Sequence, residues 1–407
     1  MDDDEGNEID LLYSSIALPS NIEVDDAESE SGSEFDGDEY ATDEPKVKKR
    51  KSGKASKSRK QKEPRKRKVI RKPPPRGQPD SPEWFEFDQQ AAEPAPCAGT
   101  FSPPPRAMTP YQYFSTLFTE EIMVKIALES NRYCIQKLDY DPHITMKEIQ
   151  QFIGMMFLMS IVKMPSFRMY WSAGMRFSSI ADVMTRNRFE EIKRCLHFND
   201  NSNMKKKGEP GYDKLFKIRP FLDALKENFL KIEPEADQSI DEIMVPTKAR
   251  CNIRQYNPNK PHKFGVKITG RAGKGGILHD FEVYEGKSPE PTSPLGVSGD
   301  IVMKLTSTLG DNMWYRIYAD NWFSSYSLVI ALKNKGFEYT GTIRRNRIPG
   351  INLKSDEKLT KEGRGSLDAR ISNDGMRVIK WKDNKVIHLI STYDAVYPDD
   401  IVIFLLH

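Results

Sequence analysis

Charge is segregated at the start of this chain to a degree that forbids a core there. Residues 1–45 carry 17 Asp/Glu and no Lys/Arg, and residues 46–76 carry 17 Lys/Arg against one acid, Glu63. Blocks of like charge repel themselves and hold too little apolar surface to offset the entropy of ordering the chain. The basic block runs into Lys72-Pro-Pro-Pro-Arg76, and a second proline cluster, Pro103–Pro105, follows. Residues 1–105 are therefore expected to form a disordered tail, acidic and then basic. Two clusters in it, Lys48, Lys49, Arg50, Lys51 and Arg65, Lys66, Arg67, Lys68, have the length of nuclear import signals and suit non-specific phosphate contacts. A solvated spacer is the alternative reading.

The rest of the chain is close to neutral, with 45 basic and 41 acidic residues. Its longest apolar run, Phe152–Val162, is 11 residues and includes Gly154 and Ser160. A bilayer span needs about 20, so no membrane partner is expected. Met1–Asp10 is acidic and has no apolar stretch of a secretory signal. Cys97, Cys134, Cys195 and Cys251 contain no C-x-x-C pair. They read as reduced thiols, and no zinc is expected.

Residues 106–235 read as a helical domain. Thr109-Pro110 suits an N-cap followed by N1, and Thr145 with Glu148 has capping-box spacing. Apolar residues recur at helical spacing through Phe152, Met156, Phe189, Ile192, Phe221 and Leu225. The methionines Met155, Met156, Met159 and Met164 read as core filler. Cys195 and His197 are two ligands, too few for a zinc site.

From residue 236 the period changes to that of strands. Ile240–Val245, Phe264–Ile268, Ile277–Val283 and Trp314–Ala319 read as strands, and Ser324–Lys335 as a helix stopped by Gly336. Arg377–Trp381 and Val386–Ser391 add further β structure. The fold class is α+β, or mixed α/β. Asp241 lies within the first strand and Asp320 directly follows the fourth. Strand ends are where ligands gather in such sheets. If the two strands are neighbours, both carboxylates reach one site suited to Mg²⁺. A turn aspartate capping backbone amides is the competing reading.

The segments QSIDEIMVPTKAR, IRQYNPNKPHKFGVKI, YADNWFSSYSLVIALKNKGFEYTGTIRRNR and RVIKWKDNKVIHLIST together resemble piggyBac-type DDE transposases and their domesticated derivatives. The resemblance runs from about Pro110 to Thr392. It implies an RNase H-like catalytic core beginning in residues 236–344, with a β-rich insertion-like segment in 345–407. It also implies a helical dimerisation and DNA-binding domain in 106–235, Asp241 and Asp320 as the first two catalytic, metal-holding acids, and Mg²⁺ as the cofactor. The family's third aspartate sits in a GGVD-type motif, which this sequence lacks; Asp394, Asp399 and Asp400 are nearby acids without that surrounding motif.

A nuclear DNA-binding protein, truncated and without autonomous transposition, is the reading that follows. The alternatives are an active Mg²⁺-dependent nuclease or transposase, and a chromatin-interaction protein acting through its charged tail. Expected partners are DNA, a second copy of the chain, and chromatin or nuclear import factors. Lys260, His262, Lys263, Arg271, Lys274, Arg344, Arg345 and Arg347 are placed to meet phosphates, and Trp322 to stack on a base or to pack in the core.

Overall fold

The computed structural model describes residues 82–87, 96–97, 99, 108–247, 251–258, 260–286 and 292–393. The two basic clusters of the tail and Asp394, Asp399 and Asp400 lie outside the described residues.

The helical domain is built on α1 (Pro110–Leu117), α2 (Glu120–Leu138), α3 (Met146–Ile161), α4 (Ser178–Ala181), α5 (Arg186–Cys195) and α6 (Arg219–Leu230). Thr109 is the N-cap before Pro110 that the sequence predicts and also closes a capping box with Gln112, and Thr145 closes the box its spacing with Glu148 predicts. Met123, Ile126, Ile149, Phe152, Met155, Phe189 and Ile192 meet in one buried cluster. Each such side chain contributes about 1.5–3 kcal/mol by leaving water.

Cys134 and Cys195 are fully buried in that cluster and are joined as a disulfide, with Cα atoms 6.0 Å apart. The reading of four reduced thiols is thus corrected. Packing of α2 on α5 brings together two cysteines far apart in sequence, which spacing alone does not show. Cys97 and Cys251 are free.

The second half is one mixed sheet. Its strands are β1 (Trp84–Glu86), β2 (Asp237–Pro246), β3 (Arg254–Tyr256), β4 (Phe264–Gly273), β5 (Leu278–Val283), β6 (Arg316–Ala319), β7 (Glu338–Thr342), β8 (Leu367–Ser372), β9 (Arg377–Lys382) and β10 (Val386–Ser391). The order is β1-β8-β9-β10-β7-β6-β2-β4-β3, with β5 also on β4. Among the described residues only β2–β6 and β6–β7 are parallel pairs. Helices α7 (Gly296–Thr306) and α8 (Tyr326–Asn334) belong to this half, and α9 (Asp356–Glu362) precedes β8. Ile240, Val302, Leu305, Ile317, Phe323, Leu328, Val329, Leu332, Tyr339, Val378 and Ile390 form its core. The β8–β10 segment joins the same sheet through Ile390 opposite Gly341.

Part of the expected tail is ordered. Trp84–Glu86 pairs antiparallel with β8, Trp84 opposite Ser372. The Trp84 indole donates from Nε1 to the Pro349 carbonyl at 2.9 Å and packs edge-on to Tyr326, centroids 5.8 Å apart. Cys97 packs on the same core. Disorder over all of residues 1–105 is therefore overturned at these positions: an aromatic strand on an open sheet edge stabilises what local composition cannot.

On β2 the residues alternate strictly. Gln238 and Ile240 are buried, while Ser239, Asp241, Ile243 and Val245 are exposed. The Asp241 side of the strand is open.

Candidate active site

Strands β2 and β6 run parallel with Ile240 opposite Ala319. Asp241 and Asp320 are each the next residue, so both acids stand at one level on neighbouring strands. Asp241 opposes Gly270 on its other side. The pleat turns Asp241 outward, and its Oδ1 accepts from the Glu242 amide at 2.6 Å.

Asp320 ends β6 as a turn residue. Its Oδ1 accepts from the Trp322 amide at 2.8 Å, and its carbonyl accepts from the amides of Phe323 and Ser324, each at 3.2 Å. The Ser324 hydroxyl donates to the same carbonyl at 2.9 Å and lies 2.6 Å from the Tyr339 hydroxyl. Ser325 then caps α8 by accepting from the Leu328 amide at 3.3 Å. Gly341, beside this turn, has no room for a side chain: a Cβ there would lie 2.4 Å from the Ala319 carbonyl oxygen.

Burial pushes the Asp320 carboxyl above its usual range, and the negative charges of Asp241 and Glu242 push it further; the Trp322 and Phe323 amides pull the other way. Like charges held together are relieved by a cation, and oxygen ligands with room for water suit Mg²⁺. The two residues therefore fit a divalent ion. Among the described residues no group of three or more His, Cys, Asp or Glu forms that could hold a metal.

The basic candidates divide three ways. Arg271 is not on the surface. It is 1% exposed and donates to the Leu305 carbonyl at 2.9 Å, to Gln238 Oε1 at 2.5 Å and to Thr308 Oγ1 at 2.9 Å. Burial lowers its pKa to about 10, against the pull of Asp280. It is a brace between sheet and α7, and the expectation that it meets DNA phosphate is corrected. Its strand is buried on both faces at this level, so turn proximity was a poor guide.

Arg344 and Arg347 stand beside the Asp320 turn, while Arg345 turns back onto its own segment. Arg347 Nη1 donates to the carbonyls of Asn321, Trp322 and Ser324 at 3.3, 2.6 and 3.0 Å. Burial, then the neighbouring Arg344, lowers the Arg347 pKa, while Asp320 raises it. Arg344 Nε donates to Asn321 Oδ1 at 3.2 Å, and Arg345 donates to the carbonyls of Ile348 and Ile351. Lys260, His262 and Lys263 are exposed in the β3–β4 turn, and Lys274 is exposed in the β4–β5 turn.

Trp322 is half-buried against the core and edge-on to Phe323 at 4.8 Å. Lys267, absent from the sequence candidates, places its ammonium 4.2 Å from the Trp322 ring centroid and pairs with Glu242. Its signal was the period of β4, which puts it beside Met244 and diagonal to Glu242.

Comparison with known proteins gives the family. The profile of the family described as Transposase IS4 matches residues 109–403, which places the chain among DDE-type transposase-derived proteins. The human piggyBac transposable element-derived protein 3 is 32% identical over 314 residues, covering 74% of this chain and 52% of that protein. The human piggyBac transposable element-derived protein 2 is 30% identical over 298 residues, covering 72% and 49%. A piggyBac transposase solved by cryo-EM as a synaptic complex with hairpin DNA superposes with a TM-score of 0.60 at 23% identity, covering 75% of this chain and 64% of that one. The chain belongs to the piggyBac transposase family. It spans about half the length of these two human relatives, at 52% and 49%.

Proposed function

We propose that this chain is a nuclear DNA-binding protein derived from a piggyBac-type transposase. Asp241 and Asp320 would hold a divalent cation, and these two carboxylates by themselves would not complete a strand-cutting centre. The observation that carries the reading is the pair of carboxylates at one level of two parallel strands, with burial, and then the charge of Asp241, raising the Asp320 pKa. The related transposase assembled on hairpin DNA supports a DNA ligand.

Mg²⁺, when bound, supplies charge neutralisation at the phosphate and activation of a water. The chain's own residues set the position. The Trp322 amide fixes one Asp320 oxygen, Arg347 holds the turn that carries it, and the exposed Asp241 side chain faces solvent. Arg344 and the Lys260–Lys263 turn supply cations for the phosphate backbone. With these two carboxylates alone, a cation would be held but the transition-state stabilisation of a two-metal centre would be incomplete. The basic clusters Lys48–Lys51 and Arg65–Lys68 carry the import signal in this reading, and no helix among the described residues is long and apolar enough to cross a membrane.

The test is the full chain with duplex DNA and Mg²⁺ or Mn²⁺. Salt-dependent binding with no nicking above an Asp241→Asn/Asp320→Asn background is expected. Nicking that Asp241→Asn abolishes would establish the nuclease reading instead.

A further inference from the structure

From residue 243 to residue 279 the chain has eight Lys/Arg and no Asp/Glu. This stretch contains β3 and β4, and it displays two aromatic rings that the core does not use. Tyr256 and Phe264 are directly opposed across the β3–β4 pair. Their ring centroids are 4.9 Å apart at 46°, and each residue is 48% exposed. The Arg254 guanidinium lies 4.8 Å from the Phe264 centroid. The turn joining the strands closes with the Asn257 amide donating to the Lys263 carbonyl at 2.7 Å, and it carries the exposed Lys260, His262 and Lys263.

The pleat decides where these rings face. Val245 pairs with Val266 and Arg254 pairs with Val266, so all three share one face. Side chains two apart on a strand share a face. Asp241, Ile243 and Val245 on β2, Phe264 on β4, and Arg254 and Tyr256 on β3 therefore lie on the same side of the sheet. From Asp241 to Pro246, the end of the β2–β4 ladder, the strand runs about 17 Å.

We propose that Tyr256 and Phe264 form a stacking platform for unpaired bases of a DNA strand whose phosphates follow the cations of the β3–β4 turn, on the face that carries Asp241. The inference rests on the DNA-binding reading above and gives it a strand state and two residues. A cross-strand aromatic pair also steadies a hairpin. That role needs the rings to touch each other. It does not need half of each residue in water, a guanidinium on one ring, or 37 consecutive residues, 243–279, without an acid. Bases offer flat faces of any sequence to such rings, and their backbone supplies the missing negative charge.

The test uses the full chain in EDTA, so that the acid pair plays no part, and a short single-stranded oligonucleotide carrying 2-aminopurine. Binding is read by anisotropy and stacking by fluorescence quenching. Wild type should quench the probe and bind it more tightly than a duplex of equal length. Tyr256→Leu and Phe264→Leu should each weaken binding by about five- to a hundred-fold and reduce quenching. Tyr256→Phe, which keeps the ring and loses only the hydroxyl, should change neither, and a melt of each leucine variant close to that of wild type separates loss of the ring face from loss of the hairpin. Lys260→Ala and Lys263→Ala should each lower the salt slope by about 0.7.

Leucine variants that bind and quench like wild type would overturn the platform and leave DNA binding standing. Loss of quenching in Tyr256→Phe would overturn it as well. A wild-type chain that binds neither probe nor duplex would remove the underlying DNA reading with it.

Discussion

Asp241 and Asp320 stand one residue beyond Ile240 and Ala319, a paired couple on adjacent parallel strands. That register makes their carboxylates neighbours although 78 residues separate them in sequence, from 242 to 319. The energetic mark of the arrangement is on Asp320, whose carboxyl is held above its ordinary value of 3.8 by burial and by Asp241.

The first prediction concerns pH. With its pKa raised on folding, Asp320 binds its proton more tightly in the native state than in the unfolded chain. Its ionisation therefore costs stability, fully above the folded value and not at all below about 3.8. Asp320→Asn keeps the acceptor for the Trp322 amide and removes the charge. Its melting temperature should exceed that of wild type at neutral pH, and the gain should vanish in acid. Thermal melts across pH check both halves.

Arg347 should matter more to the architecture than to phosphate binding. It serves three carbonyls of the turn after Asp320. Arg347→Met would leave them without a charged donor, at roughly 2–4 kcal/mol, since such bonds contribute about 1.5–3 kcal/mol each and water replaces part of them. Arg347→Lys, a single point charge in place of a planar fork, should recover only part of the loss. Urea denaturation gives the values.

Arg271 separates buried from surface cations. Arg271→Met removes the guanidinium that donates to Thr308 Oγ1 at 2.9 Å, and Thr308 in turn donates to the fully buried Asp280 at 3.0 Å, beside the Lys226 ammonium at 3.1 Å. A loss of about 3–5 kcal/mol is expected. The salt slope of DNA binding should not move, because no phosphate contact is lost.

Trp84 tests the ordered piece of the tail. Trp84→Ala removes a half-buried indole, its bond to the Pro349 carbonyl and its contact with Tyr326. About 3 kcal/mol should go, and amide exchange along β8 should accelerate. Unchanged exchange at Ile371 and Ser372 would show that β1 does not protect this edge.

Legibility in the sequence followed local signals. Thr109 and Thr145 announce their helices because capping is a contact over three residues. Asp320 is legible because a strand, a turn aspartate and a helix cap follow in immediate succession. The features that sequence reasoning missed depend on distant partners. Trp84 finds its edge in β8, far along the chain, and Cys134 meets Cys195 only through helix packing. Arg271 follows a turn-like glycine, yet α7 covers it. Three-residue β3 carries too short a period to read, so the Tyr256–Phe264 pair was invisible until the register was known.

Calorimetric titration of Mg²⁺ or Mn²⁺ into the full chain bears most directly on the cation-holding acids. Wild type should bind an ion that Asp241→Asn and Asp320→Asn each weaken and the double substitution abolishes. Heat and affinity unchanged in the double variant would contradict the account.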